Sequence, residues 1–279
     1  MFIGWNIENY FPIFVCNMKT QLAKLALAVA LGLAFTLTIS CGEHSLDTFI
    51  GSLLESSNSK GESENESKNS SSSTAYCSFT GSRDGTFMDS RDGTIYKCVR
   101  IDSQIWMAEN LNYDVPNNNT DICYNHETAR CATYGHLYNW ATVMNLAATC
   151  NSSNCVTEVQ PTHQGICPSG WHIPSNAEWG VLVDYAGGEE VAGGKLKLGS
   201  GWNSNIGTDD FGFAALPGGY GGEDGSFGSA GANGRWWSTT EYNAEHAYYR
   251  YMSRGGENVY DGRNMVKGDF LSVRCVQDY

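Results

Sequence analysis

The sequence predicts a disulfide-stabilised α+β fold whose sheets are antiparallel. Helical periodicity with recognisable start or stop residues is found in only a few segments. The remaining apolar segments are short and separated by glycine-rich turns, a pattern that favours antiparallel strands over βαβ units. Ten cysteines are present, and the eight that follow residue 76 form an even set, which is typical of disulfide-bonded exported domains.

The first predicted elements are strands joined by tight turns. The pentapeptide SRDGT occurs at 82–86 and again at 90–94, and Asp-Gly is a strong turn signal between strands. We therefore predict two turns separated by a short strand. A strand over 95–101 and another over 104–107 follow.

The first predicted helix covers residues 138–146. Its sequence, YNWATVMNL, places Trp140 and Met144 on one face at a spacing of four residues. A helix in this position would bury both side chains.

The second predicted helix begins at Ser175, which forms an S-x-x-E capping box with Glu178. Gly187 supplies the left-handed residue with which helices commonly end. The helix should bury Trp179, Leu182 and Val183.

Beyond this helix, the sequence predicts one short helical turn within 191–198 and then mainly strands. Glycine is abundant after residue 199, so these strands should be short. We predict them at 212–216, 236–239, 247–252 and 271–276.

The N-terminal segments indicate export. Residues 1–17 fit no structural role and are interpreted as a mis-called upstream start. Residues 18–40 resemble a bacterial lipoprotein signal, with Lys19 and Lys24 before an apolar run over 25–39. Cys41 would then carry the lipid, although Thr38 departs from the usual pattern. The alternative is ordinary signal cleavage beside an unmodified Cys41.

Composition separates a tether from a folded domain. Residues 41–75 contain the Ser/Glu/Asn-rich stretch 56–75, which has no aromatic or branched apolar residue and should act as a disordered tether. Residues 76–279 form the predicted domain. The expected location is the outer membrane or cell surface, with the lipid as the membrane contact.

The charge of the chain bears on its partners. A net charge of −13 and a pI near 4.8 exclude a basic surface for nucleic acid. Only Cys150 and Cys155 approach zinc-ligand spacing, so we expect no metal and no cofactor.

Five strings resemble the Fibrobacter succinogenes major paralogous domain, and the resemblance covers essentially all of residues 80–279. They are IDSQIWMAENLNY (101–113), GHLYNWATVMN (135–145), GICPSGWHIPSNAEW (165–179), GRWWSTTEY (234–242) and LSVRCVQDY (271–279). The resemblance implies a C-type lectin-like fold, in which two helices flank short antiparallel sheets with long loops. It also implies a surface or secreted location, but no particular activity.

The same resemblance implies a disulfide scheme. Its main bond would join Cys167 to Cys275, which closes a long loop and should stabilise the domain most. The other pairs would be Cys150–Cys155, Cys123–Cys131 and Cys77–Cys98.

Catalytic motifs are missing from the sequence, so we predict that the chain is not an enzyme. No G-x-S-x-G elbow is present. The carboxylates required for calcium-dependent sugar binding in lectins of this fold are absent. The second reactive cysteine of the related formylglycine-generating enzymes is also absent. Glu109 and the Asp209–Asp210 pair are carboxylate candidates for glycoside hydrolysis, but the sequence leaves their separation open.

The predicted function is a cell-surface binding or adhesion module with a glycan or protein ligand. Residues 199–262 are the expected recognition face, because loops on a rigid scaffold commonly carry binding. Alternation along a strand could expose one ring of each aromatic pair there. The candidate ligand-binding residues are Trp202, Trp236, Trp237, Tyr248 and Tyr249. A polysaccharide-degrading enzyme and a purely structural envelope protein are the alternatives.

Overall fold

Antiparallel pairing organises the computed structural model, which describes residues 74–116, 121–204 and 207–279. The predicted signal, the lipidated Cys41 and almost all of the tether lie outside the described residues. The largest sheet has six strands in the order β1-β2-β3-β4-β13-β7. Its strands are β1 Ser78–Phe79, β2 Asp84–Met88, β3 Ile95–Ile101, β4 Gln104–Met107, β7 Trp171–His172 and β13 Val276–Gln277.

Three smaller sheets complete the strand inventory of the described residues. A three-stranded sheet has the order β10-β11-β12, and two further sheets pair β5 with β6 and β8 with β9. These strands are β5 Asp121–Ile122, β6 Leu137–Tyr138, β8 Tyr220–Gly221, β9 Phe227–Gly228, β10 Asn233–Glu241, β11 His246–Ser253 and β12 Val259–Val266.

The helices are few and short, as an α+β fold of this kind requires. Within the described ranges four are α-helical: α1 Thr128–Tyr134, α2 Trp140–Val143, α3 Asn176–Tyr185 and α4 Ala192–Leu196. Three 3₁₀ turns cover Tyr124–His126, Ala148–Asn151 and Val156–Glu158. The sequence did not predict α1, since its TARCATY segment has no apolar stripe.

Helix α3 confirms the predicted capping box. The Ser175 hydroxyl accepts the backbone N–H of Glu178, and the Glu178 carboxylate accepts the backbone N–H of Ser175. The predicted buried stripe is also confirmed. Gly187 follows the helix with a φ of 111°, so a left-handed residue does lie at its end.

The predicted helix over 138–146 is shorter in the structure. Asn139 is the N-cap of α2 and accepts the backbone N–H of Thr142, so the helix cannot begin earlier. Tyr138 instead belongs to β6 and forms a bridge with Leu271. Trp140 and Met144 are both buried, as the spacing predicted.

Strands 95–101 and 104–107 are confirmed at their predicted bounds. The predicted order of two turns around a short strand is confirmed, since a bend over 80–83 joins β1 to β2 and a turn over 90–92 joins β2 to β3. The first Asp-Gly pair does not form its turn, because Asp84 and Gly85 lie within β2. A β-carbon on Gly85 would lie 2.6 Å from the Ser78 carbonyl oxygen and 2.7 Å from the Cys77 sulfur. Glycine therefore serves close strand packing there rather than a turn.

Two further strand predictions need correction. In 212–216 only Ala215 pairs, by a bridge to Lys197, because Gly212 and Ala214 adopt left-handed φ values of 72° and 52°. The strand at 271–276 is reduced to isolated bridges followed by β13. Strands β10 and β11 extend beyond the predicted 236–239 and 247–252.

The core consists of two apolar clusters. One contains Trp140, Trp171 and Trp237, and the other contains Trp106, Trp179 and Trp236. Four disulfides join Cys77 to Cys98, Cys123 to Cys131, Cys150 to Cys155 and Cys167 to Cys275, the scheme that the resemblance implied. Disulfides of this number indicate an exported protein.

Candidate ligand-binding groove

The structure buries four of the five aromatic residues predicted to bind a ligand. The exposed fractions are 5% for Trp202, 0% for Trp236, 1% for Trp237 and 7% for Tyr249. Tyr248 is half-buried and contacts the exposed Tyr242 with its ring edge-on, 5.7 Å between centroids. Trp202 is therefore not exposed and the Trp236–Trp237 pair lacks the expected exposed ring, whereas in the Tyr248–Tyr249 pair Tyr248 is the more exposed ring.

Strand alternation operates as expected, but both faces of the three-stranded sheet are covered. Trp236 lies in one apolar cluster and Trp237 in the other. Each indole N–H has a buried acceptor, at 2.9 Å on Asn110 Oδ1 and 2.8 Å on the Tyr138 carbonyl respectively. These partners come from distant segments of the chain, so the sequence around Trp236 and Trp237 could not show that both rings are buried.

Two concave features lie elsewhere, along helix α1. Two neighbouring cavities of about 570 and 660 Å³ both border Asn112, Cys131 and Ala132, and we call them together the α1 groove. Each volume lies in the range of small-ligand sites. Part of the wall comes from residues 209–216, within the half of the chain predicted to carry recognition.

Helix α1 is held in place by covalent and polar contacts. The Cys123–Cys131 disulfide joins it to the preceding 3₁₀ turn. Buried Asn110 donates to the carbonyl of Tyr134 at 2.7 Å. Gly135 follows with a φ of 75°, and a β-carbon there would lie 2.5 Å from the Leu111 carbonyl oxygen. The position therefore requires glycine for close backbone approach.

Asp209 supplies one carboxylate of the groove. It is a non-glycine residue with a left-handed φ of 50°, and its Oδ1 accepts the backbone N–H of Ala214 at 2.8 Å. Burial raises the pKa of Asp209, although the Ala214 hydrogen bond and the charge of Arg274 oppose the shift. Strained backbone of this kind is concentrated at functional sites.

Buried Arg274 contacts the loop that forms this wall. Its guanidinium is fully buried and donates to Asn110 Oδ1 at 2.9 Å, to the Ala214 carbonyl at 2.9 Å and to the Phe213 carbonyl. Burial lowers the pKa of Arg274 to about 9, opposed by the charges of Asp209 and Glu109. The arginine thus fixes the loop that carries Asp209.

Glu109 lines the same part of the groove. Its carboxylate accepts the backbone N–H of Lys97 at 2.9 Å and lies 3.8 Å from the Lys97 ammonium. Its side chain is 42% exposed, so a ligand could reach it. The structure therefore brings two of the predicted carboxylate candidates to one depression.

The other part of the groove contains a histidine–aspartate pair. His136 Nδ1 lies 2.5 Å from Asp121 Oδ2, and the Asp121 side chain is only 3% exposed. A buried carboxylate of this kind fixes the orientation of the imidazole. Asp114 and His126 border the same cavity, and His126 has a left-handed φ of 58°.

Asn112 borders both cavities. Its backbone N–H donates to the Tyr96 hydroxyl at 3.0 Å. Its side-chain oxygen is buried and has no hydrogen-bond partner among the described residues. Such an oxygen is costly to leave unpaired and is suited to a ligand donor.

Two cysteine-containing clusters have the spacing of metal ligands. One combines Cys123 and Cys131 with His136, and the other combines Cys150 and Cys155 with Glu158. All four sulfurs are in disulfides, and disulfide sulfur lacks the thiolate that binds zinc.

Sequence reasoning identified Glu109 and Asp209 but missed Asn112, Asp121 and His136. His136 is a single histidine in an apolar string, and its partner belongs to a two-residue strand. The one available signal was the Cys123–Cys131 pair, because two cysteines 8 residues apart that form a disulfide constrain the loop between them.

Comparison with known proteins gives one result. The family model for the Fibrobacter succinogenes major domain matches residues 99–277, more than half of the chain. No curated protein and no solved structure shows a significant match. In the part of the chain that the structure describes, every helix is too short or too polar to traverse a bilayer. The five strings, the disulfides and this match agree, and the chain belongs to the Fibrobacter succinogenes major domain family.

Proposed function

We propose that the chain is a cell-surface lipoprotein whose domain is a non-catalytic binding and adhesion module, with a glycan bound in the α1 groove. The observation that supports the proposal is the lining of the groove. Carboxylates, a carboxamide with an unpaired oxygen and an oriented imidazole converge there. These planar polar groups accept and donate hydrogen bonds in the pattern that sugar hydroxyls can satisfy.

The charge of the groove narrows the class of glycan. Four carboxylates border it, whereas Lys97 is the one lysine or arginine among the lining residues of the two cavities. An anionic polysaccharide would be repelled by this surface. Neutral and amino sugars are therefore the proposed ligands. The carboxylates concerned are Glu109, Asp114, Asp121 and Asp209.

The scaffold and anchor belong to the same proposal. The C-type lectin-like arrangement places irregular loops on a sheet scaffold, and lipid on Cys41 with the 41–75 tether would hold the domain away from the membrane. The four disulfides support an exported location. Mass spectrometry of the mature N-terminus tests the anchor, and an unmodified Cys41 would contradict it.

The ligand proposal is tested with the mature protein purified from producing cells. An array of neutral, amino and acidic oligosaccharides serves as the probe, and the Asn112→Leu variant is compared with wild type. Because Asn112 Oδ1 has no partner in the described residues, its removal should not lower the melting temperature. We expect a rise of about tenfold or more in Kd, as for the loss of one well-placed hydrogen bond.

Asn154→Leu is the matched control, since Asn154 is exposed and outside the lining of the groove. It should bind as wild type does. Absence of glycan binding by the wild type, or equal effects of the two variants, would contradict the proposal. Binding to a protein of the cell surface instead would favour the protein ligand.

A second candidate is polysaccharide hydrolysis, because Glu109 and Asp209 border one groove and the raised pKa of Asp209 suits a general acid. Release of reducing ends from a polysaccharide that binds in the array would favour the enzyme over the binding module. This activity should be lost in both Glu109→Gln and Asp209→Asn.

A further inference from the structure

Strand β12 leaves one side of its backbone unpaired beyond Val259. It is an edge of the three-stranded sheet and pairs with β11 along one side only. The Val259 N–H points away from β11, since it donates to the Glu189 carbonyl at 2.8 Å. Backbone groups alternate in direction along a regular strand, so those of Asp261 point away from β11 as well. The pairing of β12 with β11 shifts by one residue between Gly262 and Met265. Alternation continues as far as Asn264, because its side-chain oxygen accepts the hydroxyl of Tyr249, the partner of Gly262, and Arg263 therefore also points away from β11.

The charges on this edge are self-complementary. An antiparallel pairing of two copies about Gly262 places Asp261 of one copy opposite Arg263 of the other. The twofold axis generates the same pair again with the roles exchanged. Both side chains are exposed in the single chain. Each pair would exchange two backbone hydrogen bonds, because the outward-facing residues coincide in this register.

The opposite face of β12 supports the same register. Arg235, Tyr251 and Tyr260 are direct neighbours across the three strands, with the guanidinium carbon 5.5 Å from the Tyr251 ring centre and the two tyrosine rings 5.4 Å apart. Tyr260 ends this row at the sheet edge and is 46% exposed. Its outer face is therefore available to a neighbouring strand.

Gly262 makes room for such packing. A β-carbon at this position would lie 2.3 Å from the Tyr249 ring, so the strand presents no side chain there. In the antiparallel register, Tyr260 of one copy lies opposite Asn264 and diagonal to Gly262 of the other. An aromatic ring beside a strand glycine is the arrangement that Tyr249 already makes within the chain.

We propose that β12 pairs with β12 of a second copy of this chain, forming a symmetric dimer with one continuous sheet. Charged residues on an edge usually prevent pairing. Here their opposite signs, two residues apart, select one register of self-association instead. A closed twofold contact uses both copies of the edge and does not propagate into fibres. The inference does not depend on the proposed glycan ligand.

Charge reversal tests the register. Asp261→Arg and Arg263→Asp each place like charges opposite one another, and the double variant restores opposite charges. Sedimentation of the purified mature protein in detergent should show the dimer Kd rising by about tenfold or more in each single variant. The double variant should return to within about threefold of wild type. Glu158→Arg, an exposed change outside β12, is the charge-matched control.

Asp261 also accepts a hydrogen bond from Asn176 at 3.3 Å, so melting temperatures of all variants are measured in parallel. A second experiment avoids the stability question. In intact cells, the Asp261→Cys/Arg263→Cys double variant should form a cross-linked dimer, since opposed residues lie about 5.5 Å apart at their α-carbons. Tyr260→Cys/Arg263→Cys should not cross-link. A monomeric wild type, or equal cross-linking of both cysteine pairs, would overturn the inference.

Discussion

Trp237 shows what single residues can and cannot reveal. Its position beside Trp236 predicts opposite orientations, and the structure confirms that alternation. Its cover comes from Tyr138, a residue 99 positions away in sequence. The exposure of a side chain is therefore decided by long-range packing, whereas the sheet face to which it points is decided by local strand alternation.

A prediction follows for the free energy of unfolding. Trp237→Ala removes a fully buried indole and one of the two donors to the Tyr138 carbonyl, so we expect a loss of about 3–5 kcal/mol. Tyr260→Ala, at a half-exposed position, should cost less than about 1 kcal/mol. Denaturant unfolding under oxidising conditions at low protein concentration measures both. Similar losses for the two variants would show that Trp237 is not a core residue.

Two glycines also show that the local sequence predicts some features, whereas neighbouring strands decide others. Gly187 was predicted to adopt a left-handed conformation after a helix, and it does. Gly85 belongs to an Asp-Gly pair that predicts a turn, yet it lies in strand β2. Glycine fits this position because the Ser78 backbone and the Cys77 sulfur pass too close for a β-carbon. A turn motif reports local preference only, and strand neighbours can override it.

At the scale of elements, helix α3 was the most predictable unit. Its start is specified by residues 175–178, and both hydrogen bonds of the capping box form. Helix α1 was missed because its position depends on the Cys123–Cys131 disulfide and on Asn110, rather than on an apolar stripe. Short helices of this kind derive their stability from tertiary contacts.

His172 joins three elements and was not predicted to do so. This buried strand residue places Nε2 2.7 Å from Glu178 of α3 and Nδ1 2.7 Å from Asp278 after β13. Burial lowers the pKa of His172, but the hydrogen bonds and charges of the two carboxylates outweigh it and raise the pKa overall. Asp278 is 106 residues away, beyond the reach of pattern analysis.

The raised pKa predicts a pH dependence of stability. The contribution of His172 should be fully present below its unfolded-state pKa of about 6.5 and should be lost as pH rises through the higher folded-state pKa. Glu178 acts oppositely. Burial raises the pKa of Glu178, but its contacts with His172 and Ser175 lower it overall. Its contribution is therefore lost as pH falls through that lowered value.

Denaturant unfolding of wild type and His172→Gln across pH 5–9 tests this coupling. The wild type should lose stability as pH rises above about 6.5, and the variant should show a flatter profile in that window. His246→Gln, at a half-exposed site bonded to Asn243, is the control and should keep the wild-type profile. A variant profile parallel to that of wild type would exclude His172 as the titrating group.

At the scale of the whole molecule, the α1 groove shows why the site could be predicted only in part. Glu109 and Asp209 were recognisable as carboxylates, but their placement on one groove depends on Arg274 holding the 209–214 loop. The fold class and the antiparallel pairing followed from local patterns, because turns and strand lengths are local properties. The groove depends on three segments far apart in sequence, so it emerges only from the assembled chain.

The Cys167–Cys275 disulfide is the longest-range covalent contact among the described residues. Both sulfurs belong to fully buried residues, and the bond connects the segment before β7 with the segment before β13, two neighbouring strands of the six-stranded sheet. It spans 108 residues, whereas Cys150–Cys155 spans 5. A longer closed loop restricts the unfolded chain more strongly.

Removal of the two bonds should therefore have unequal effects. On chain entropy alone, loss of Cys167–Cys275 should cost about 4.7 kcal/mol and loss of Cys150–Cys155 about 2 kcal/mol. The variants Cys167→Ser/Cys275→Ser and Cys150→Ser/Cys155→Ser remove each bond without leaving a free thiol. Denaturant unfolding under oxidising conditions gives each free energy from the midpoint and the m-value together, because removing a crosslink expands the unfolded chain and raises the m-value. Equal or reversed losses would show that local packing around the 150–155 loop, and not loop length, determines the stabilisation.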